Sequence, residues 1–309
     1  MKLCSLGLIF LFFAFAGFAQ SSQGTQKQET QRIDDPTLKK TVNLVNVFFT
    51  VKDSTGAPAF NLTKESCEVR EDGRPQTVQS FAAQADQPLT LGVLVDTSGS
   101  MQGMLPAEKF AAADFLRRAL SARDLAFLLS FDVNVELAQD LTGDVSMLRS
   151  ALDKTHINIG SAQSMRGRTL LYDAVYLAAN EVLTKEVGRK AMVIFTSGED
   201  YGSKVKLKEA VEAAQRADVT CYVLLLGHSR FRADVGDVAE ATGGHVISVR
   251  SSDKLAEALN QIAQELHNQY SLAYVSDNQN YDGSFRKIEI TSKPGNKVQA
   301  RKGYYATPR

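Results

Sequence analysis

The chain has 309 residues, 44% of them hydrophobic and 23% charged, which is the composition of a globular protein able to form a sizeable core. Lysine plus arginine and aspartate plus glutamate both number 35, so the formal net charge of zero gives no attraction to nucleic acid or to an anionic membrane. Basic residues are not clustered with aromatic residues either, and we therefore exclude nucleic-acid binding.

The amino-terminal residues have the layout of a secretory signal peptide. Lys2 gives a positive start, residues 3–18 are almost entirely apolar, and Gly17-Phe18-Ala19 is a small-x-small cleavage pattern. We predict a signal peptide at residues 1–19 and a secreted or periplasmic protein. A retained membrane anchor is the alternative, although a span needs about 20 apolar residues. No second hydrophobic run of that kind follows, so we expect no membrane span in the mature chain.

Residues 20–40 are rich in Gln, Ser, Thr and charged side chains and bury little apolar surface, so they are predicted to form a flexible linker. Residues 41–86 are predicted to form an amino-terminal β segment. Its alternating apolar residues indicate strands at 42–51, 67–71 and 77–81. These strands are too few to close a sandwich alone.

Strands alternate with helices through residues 88–268. The predicted strands lie at residues 91–95, 125–131, 135–138, 192–195, 219–226 and 245–249. The predicted helices lie at residues 106–120, 145–152, 170–182, 207–217, 235–241 and 255–266. This order predicts an α/β fold with a doubly wound, mostly parallel sheet that has helices on both faces.

The chain returns to β character at residues 269–309, with strands predicted at 270–275, 287–290 and 297–300. Because neither β segment looks complete alone, we predict that 41–86 and 269–309 pack together as a small β-sandwich. The α/β domain is then inserted in this β structure or flanked by it. Cys67 and Cys221 fall in different segments and are predicted to be separate thiols, with a disulfide as the alternative.

Oxygen-bearing side chains follow the first strand of the α/β region. The strand ends at Val95 and runs into Asp96-x-Ser98-x-Ser100. Ligands of open α/β sheets bind beyond the carboxyl ends of the strands. One carboxylate and two hydroxyls there suit Mg²⁺, Mn²⁺ or Ca²⁺ better than zinc, which favours histidine and cysteine.

The pattern Asp96-x-Ser98-x-Ser100 resembles the first motif of the metal-ion-dependent adhesion site (MIDAS) of von Willebrand factor type A domains. Thr169, in the stretch GRTLLYDA, is similar to the threonine of the second motif. The third motif normally supplies an aspartate after the next core strand, and this sequence has Ser197 there. The resemblance implies a Rossmann-like type A domain that holds Mg²⁺, or Mn²⁺ or Ca²⁺, on these residues.

Further site residues follow from the same resemblance. Asp200 and Ser197 are the two additional metal-ligand candidates, and Met101, Arg168 and Glu199 are the candidates for contact with a ligand. In the family, a carboxylate of a protein partner completes the shell of the cation, so we expect a protein partner that offers a carboxylate. The flanking β segments, including the ending RKGYY, resemble a secreted bacterial branch described mainly from acidobacteria.

The sequence therefore predicts a secreted, metal-dependent adhesion or ligand-binding protein. The alternative is a metal-free scaffold with a degenerate site, in which Ser98 and Ser100 only cap the following helix. No Gly-x-Ser-x-Gly elbow or phosphate-binding glycine loop occurs, and we predict that the protein is not an enzyme. Asp132 and Asp173 either support the site or cap local structure.

Overall fold

The computed structural model describes residues 44–83, 86–158, 168–227 and 232–308. The predicted signal peptide at 1–19 and linker at 20–40 lie outside the described residues. Within the described ranges, no helix combines the length and the apolar character that crossing a membrane requires.

The first described strands come from the amino-terminal β segment: β1 (Leu44–Lys52), β2 (Glu68–Glu71), β3 (Arg74–Gln76) and β4 (Val78–Ala82). β1 buries every second side chain from Val45 to Val51, as a strand with one face on a core requires. Asp72 and Gly73 both have positive φ and form the tight turn between β2 and β3.

Six strands form the central sheet: β5 (Leu89–Asp96), β6 (Leu125–Phe131), β7 (Val135–Thr142), β8 (Arg189–Thr196), β9 (Val219–Leu226) and β10 (Val246–Val249). Their order is β10-β9-β8-β5-β6-β7. All neighbouring strands are parallel except β6 and β7, which are antiparallel. Every residue of β5 is buried, which explains its continuous apolar run.

Within the described part of this region, six α-helices cover the sheet: α1 (Leu105–Ala119), α2 (Val145–Lys154), α3 (Leu171–Leu177), α4 (Leu207–Arg216), α5 (Arg232–Ala241) and α6 (Ser252–His267). Val93 and Val95 of β5 pack with α1, α2 and α6, whereas Leu94 packs with α3, α4 and α5. Successive side chains of one strand thus enter two different cores. The predicted doubly wound, mostly parallel α/β fold is confirmed.

The last strands are β11 (Tyr270–Val275), β12 (Phe285–Thr291), β13 (Lys297–Ala300) and β14 (Gly303–Tyr305). They join the amino-terminal strands in two four-stranded sheets, with the orders β13-β1-β11-β4 and β14-β12-β2-β3. One hydrophobic cluster contains residues of both sheets, including Phe49, Val69 and Ile288. Both ends of the described chain therefore contribute to the same core, while the boundaries of the five predicted segments stay predictions.

A buried polar network lies inside this β structure. Arg286 and Glu71 are almost fully buried, and Arg286 Nη1 lies 3.5 Å from Glu71 Oε1. The hydroxyl groups of Tyr274 and Tyr304 donate to Glu71 Oε2 at 2.7 and 3.0 Å, and Ser276 Oγ donates to Glu71 Oε1 at 2.6 Å. Every oxygen of the Glu71 carboxylate thus has a partner, as a buried charge requires.

The β structure touches the α/β region through the turn that follows α5. The amide of Lys302 donates to the carbonyl of Ala241 at 3.1 Å. A Cβ on Gly243 would lie 2.5 Å from the backbone nitrogen of Arg301, so only glycine permits this approach. Arg301 also pairs with Asp218. These contacts fix β13 and β14 against the amino ends of β9 and β10.

The two cysteines of the described residues are both free thiols, as predicted. Cys221 is buried in β9, and burial raises the pKa of its thiol to about 12. Cys67 is half-buried, and burial raises the pKa of its thiol as well.

Candidate functional site

The candidate site begins at Asp96, the last residue of β5. Its carboxylate is fully buried. Oδ1 accepts a hydrogen bond from the amide of Ser98 at 3.0 Å, and Oδ2 accepts from Thr196 Oγ1 at 3.0 Å and from the amide of Ser197 at 3.3 Å. Asp96 therefore links the ends of two neighbouring parallel strands. Burial raises the pKa of Asp96, while the hydrogen bonds from Ser98 act against that rise.

Three hydroxyl groups form a short chain beside Asp96. Ser98 Oγ and Ser100 Oγ are 2.9 Å apart, and Ser100 Oγ donates to Ser197 Oγ at 3.2 Å. Ser197 thus lies with the two motif serines although it replaces the expected aspartate. None of these hydroxyls caps the helical turn at Gly99–Met101 or α1, since neither has a side-chain cap hydrogen bond. The serines face one another, which leaves oxygen lone pairs for a further ligand.

Thr169 lies at the same edge of the sheet. Its side chain is buried, and its backbone pairs with Tyr201 in both directions, at 3.2 and 2.9 Å. The next residue, Leu170, donates its amide to the carbonyl of Asp132 at 2.9 Å. Thr169 is thus fixed between the loop that follows Ser197 and the end of β6.

Asp132 supports the site from the end of β6. Its Oδ2 accepts from Thr97 Oγ1 at 2.8 Å, and its Oδ1 accepts from the amide of Asn134 at 3.1 Å and from Asn158 Nδ2 at 3.4 Å. Because its carbonyl also holds Leu170, Asp132 positions both the Asp96 loop and the residue after Thr169.

Asp200 binds the backbone at the start of α3. Its Oδ1 accepts from the amide of Tyr172 at 3.1 Å and from Ser203 Oγ at 2.5 Å. Burial raises the pKa of this carboxyl. Asp173 organises the adjoining loop by accepting from the amides of Lys204 and Val205, each at 2.9 Å. Both aspartates therefore shape the backbone around Thr169.

The three predicted ligand-contact residues occupy different environments. Met101 is only 1% exposed and packs in the core beneath the loop, so it supports the site from below and offers no surface to a partner. Arg168 is exposed beside Gly202, and Glu199 is half-buried. Tyr201, which no sequence motif singles out, is 47% exposed next to Thr169 and adds an aromatic surface to the rim of the site, which Arg168, Glu199 and Tyr201 form.

Glu108 of α1 was also missed. Its side chain is 1% exposed, and neither carboxyl oxygen has a hydrogen-bond partner among the described residues. Burial, and then the negative charge of Asp96, raise the pKa of Glu108 to about 8. The signal in the sequence was a single acidic residue on the apolar stripe of a helix, between Leu105 and Ala112.

The donor set fits a hard divalent cation. It consists of the Asp96 carboxylate and neighbouring hydroxyl oxygens, the ligand type that Mg²⁺, Mn²⁺ and Ca²⁺ prefer. Within the described ranges there is no group of three or more His, Cys, Asp or Glu side chains that could hold a metal ion. A cation at this edge therefore depends on serine and threonine oxygens.

The family model of the von Willebrand factor type A domain matches residues 91–265. The chain belongs to this family. The match contains the Asp96 loop, Thr169 and Ser197, so the candidate site lies within the type A domain. The narrower resemblance to a secreted acidobacterial-type branch stays a prediction. A comparison with curated proteins found no significant match.

Solved structures share the fold of the type A domain. A von Willebrand factor type A structure from Catenulispora acidiphila matches with a TM-score of 0.53 and 11% identity, over 87% of this chain and 75% of that one. Proximal thread matrix protein 1 from the mussel byssus matches with a TM-score of 0.52 and 15% identity, over 64% of this chain and 51% of its own. A second structure of that protein has a zinc-occupied MIDAS motif. It matches with a TM-score of 0.52 and 16% identity, over 64% of this chain and 50% of its own. This chain thus spans about half the length of the mussel protein.

Proposed function

We propose that this protein is a secreted adhesion or ligand-binding protein whose type A domain binds a protein partner through a divalent cation. The observation that carries the proposal is the convergence of the Asp96 carboxylate with the hydroxyls of Ser98, Ser100 and Ser197. The pattern at residues 1–19 supports secretion.

In this proposal Asp96, Ser98, Ser100 and Thr169 hold the cation, with the Ser197 hydroxyl in the place of a carboxylate. We propose Mg²⁺ as the resident ion, with Mn²⁺ or Ca²⁺ as alternatives. The zinc in the MIDAS motif of the mussel protein adds Zn²⁺ to the ions to be tested. A cation held by one carboxylate keeps most of its positive charge, and it supplies an electrophilic centre for an incoming carboxylate oxygen.

The rim of the site suits an acidic protein partner. Arg168 is exposed and adds positive charge beside Thr169. Tyr201 presents an aromatic ring of the kind that contributes strongly to protein interfaces. Glu199 lies on the same loop as Tyr201, and its negative charge would repel an acidic group of the partner. The rim therefore has a basic side at Arg168 and an acidic side at Glu199.

The geometry favours a cation site over the metal-free scaffold. If Ser98 and Ser100 served only as helix caps, their hydroxyls would accept hydrogen bonds from the first amides of the following turn. They contact each other and Ser197 instead. We also propose binding rather than catalysis, since type A domains generally serve adhesion or protein interaction.

Calorimetric titration of Mg²⁺, Mn²⁺, Ca²⁺ and Zn²⁺ into chelator-treated protein tests the proposal. We expect saturable binding of at least one ion to the wild type and loss of that binding in Asp96→Ala. Asp153→Ala, which removes an exposed carboxylate of α2, should bind as the wild type does. Absence of binding in the wild type would contradict the proposal and favour the scaffold. Undiminished binding in Asp96→Ala would place the ion elsewhere.

A further inference from the structure

Glu108 lies in the α1 turn that is nearest the site. α1 connects the parallel strands β5 and β6, so it starts at their carboxyl ends and runs back across the sheet. The buried residues of its first two turns are Leu105, Glu108 and Ala111, and Ala112 follows directly. Glu108 thus places a buried carboxyl group near the start of α1, on the side of the sheet where β5 ends at Asp96.

The carboxyl group of Glu108 lacks every contact that a buried acid normally has. Neither oxygen has a hydrogen-bond partner among the described residues. Glu71, which is also deeply buried, shows the usual solution, because two tyrosine hydroxyls, a serine hydroxyl and an arginine surround its carboxylate. An unpartnered buried carboxyl is rare in folded proteins and calls for an explanation.

The elements packed on α1 bring apolar side chains to this core. α2 contributes Leu148 and Leu152, and α6 contributes Leu255, Leu259 and Ile262. Polar contacts from α1 to these helices lie further out: Lys109 reaches the carbonyl of Asp153, and Arg118 reaches Asn260. Asp96, at the end of β5, is the charged group whose field acts on Glu108 within the described part of the chain, and no basic group offsets it.

We infer that Glu108 is the second carboxylate of the Asp96 site: it keeps its proton while no cation is bound and releases that proton to solvent when a divalent cation binds. This inference rests on the proposed function. The cation brings two positive charges, and release of the proton leaves one negative charge on the Glu108 carboxylate behind the ligands, so the net charge of the site rises by one. Glu108 thus compensates for Ser197, which supplies no charge at the third motif.

The physical reason is linkage between the cation and the proton. Burial and the charge of Asp96 raise the pKa of Glu108 to about 8. A cation beside Asp96 reverses the sign of the local field and favours the charged carboxylate. Binding and deprotonation then assist each other, so cation affinity should rise about tenfold per pH unit between about pH 6 and 8 and level off above that range.

The test is calorimetric titration of Mn²⁺ into the chelator-treated full chain near neutral pH, in two buffers with different ionisation enthalpies. The difference in heat gives the number of protons released. We expect about one proton per Mn²⁺ for the wild type and none for Glu108→Gln, whose affinity should be lower by about tenfold and independent of pH. Glu257→Gln, on the exposed face of α6, should match the wild type.

The outcomes separate the two proposals. If the wild type binds Mn²⁺ without proton release, or if Glu108→Gln binds with unchanged affinity and pH dependence, Glu108 has no part in the site and the proposed function stands. If the wild type binds no Mn²⁺, the inference about Glu108 fails, whereas the proposed function fails only if Mg²⁺, Ca²⁺ and Zn²⁺ do not bind either. The proton count of the wild type needs no variant, so poor folding of Glu108→Gln would not prevent the test.

Discussion

Ser197 lies within hydrogen-bond distance of Ser100 and donates its amide to Asp96. A carboxylate at this position would add a negative charge to a buried edge that already holds Asp96. We predict that Ser197→Asp raises Mg²⁺ affinity by about tenfold, or about 1.4 kcal/mol, because the ion gains a charged ligand. The same variant should unfold at a lower temperature in chelator, because two buried carboxylates repel each other.

Thermal unfolding with and without Mg²⁺ measures both effects at once. Ser150→Asp is the matched control, since Ser150 is an exposed residue of α2. A Ser197→Asp variant that gained no stability from Mg²⁺ would argue against a cation at this edge.

The raised pKa of Glu108 has a consequence for stability in chelator. The ordinary value of 4.5 applies to the unfolded chain, and the folded value is about 8. Between these values the folded state keeps a proton that the unfolded state loses, so the free energy of unfolding falls as pH rises through this window. The slope approaches about 1.4 kcal/mol per pH unit. Glu108→Gln should remove this slope and be the more stable protein at alkaline pH.

Urea unfolding at several pH values in chelator checks this expectation. Glu257→Gln should keep the slope of the wild type, because its side chain is exposed. Equal slopes for the wild type and Glu108→Gln would mean that Glu108 is ionised in the folded protein.

The sequence predicted several side chains that the structure brings together at one edge of the sheet, and it missed others for definable reasons. Asp96, Ser98 and Ser100 stand together because motif spacing fixes their positions on one loop. Met101 was assigned to the partner surface, but the helical turn at Gly99–Met101 points it into the core. Glu108 was missed because the apolar residues around it define the helix, and one acidic residue on that stripe does not change the pattern.

At the scale of elements, the loop around Asp200 joins α3 to the site. The Asp200 carboxylate satisfies an amide at the start of α3, and the loop pairs with Thr169 through Tyr201. We predict that Asp200→Ala lowers the free energy of unfolding by about 1 kcal/mol, as loss of a helix cap does. It should also weaken cation binding by about tenfold, because Thr169 loses its support.

Asp144→Ala separates these two effects. Asp144 caps α2 by accepting from the amide of Ser146 at 2.8 Å, far from the candidate site. This variant should show a similar loss of stability in urea unfolding with unchanged cation affinity. Equal cation affinities for both variants would mean that the loop at Asp200 does not position the ligands.

Most elements followed from periodicity, and the exceptions have local causes. The helix predicted at 170–182 is α-helical only to Leu177 and then widens into a π-helical turn at Ala178–Val182. Periodicity barely distinguishes these two geometries over one turn. β3 was not predicted, since Pro75 removes a donor from a three-residue strand. It is tolerated because β3 lies at the edge of its sheet.

At the scale of the whole molecule, the Glu71–Arg286 network ties the two ends of the described chain together. Glu71 lies in β2, and Arg286 lies in β12, more than two hundred residues later. We predict that Glu71→Gln lowers the free energy of unfolding by about 3–5 kcal/mol, because Arg286 stays buried without a counter-charge. The double variant Glu71→Leu/Arg286→Met should recover much of this loss.

Chemical denaturation measures these differences. Glu68→Gln breaks an exposed pair with Arg70 in the same strand and should cost less than about 1 kcal/mol. A small effect of Glu71→Gln would mean that water reaches Arg286. The sequence indicated that the two β segments pack together. It did not predict the Glu71–Arg286 network, because pairing between residues so far apart in the chain leaves no local sequence pattern.

The attachment of the β structure at the amino ends of the central strands has a mechanical consequence. β5 starts seven residues after β4 ends, and α6 leads back to β11, so both chain crossings leave the type A domain at the edge opposite Asp96. A partner that pulls on the cation site would apply force at one end of β5 and β8, while the rest of the protein resists at the other end. The force would act along the parallel strands. Many backbone hydrogen bonds between the strands would then bear it together, in shear, and would not break one after another. Such a geometry suits a molecule that must hold its partner under tension.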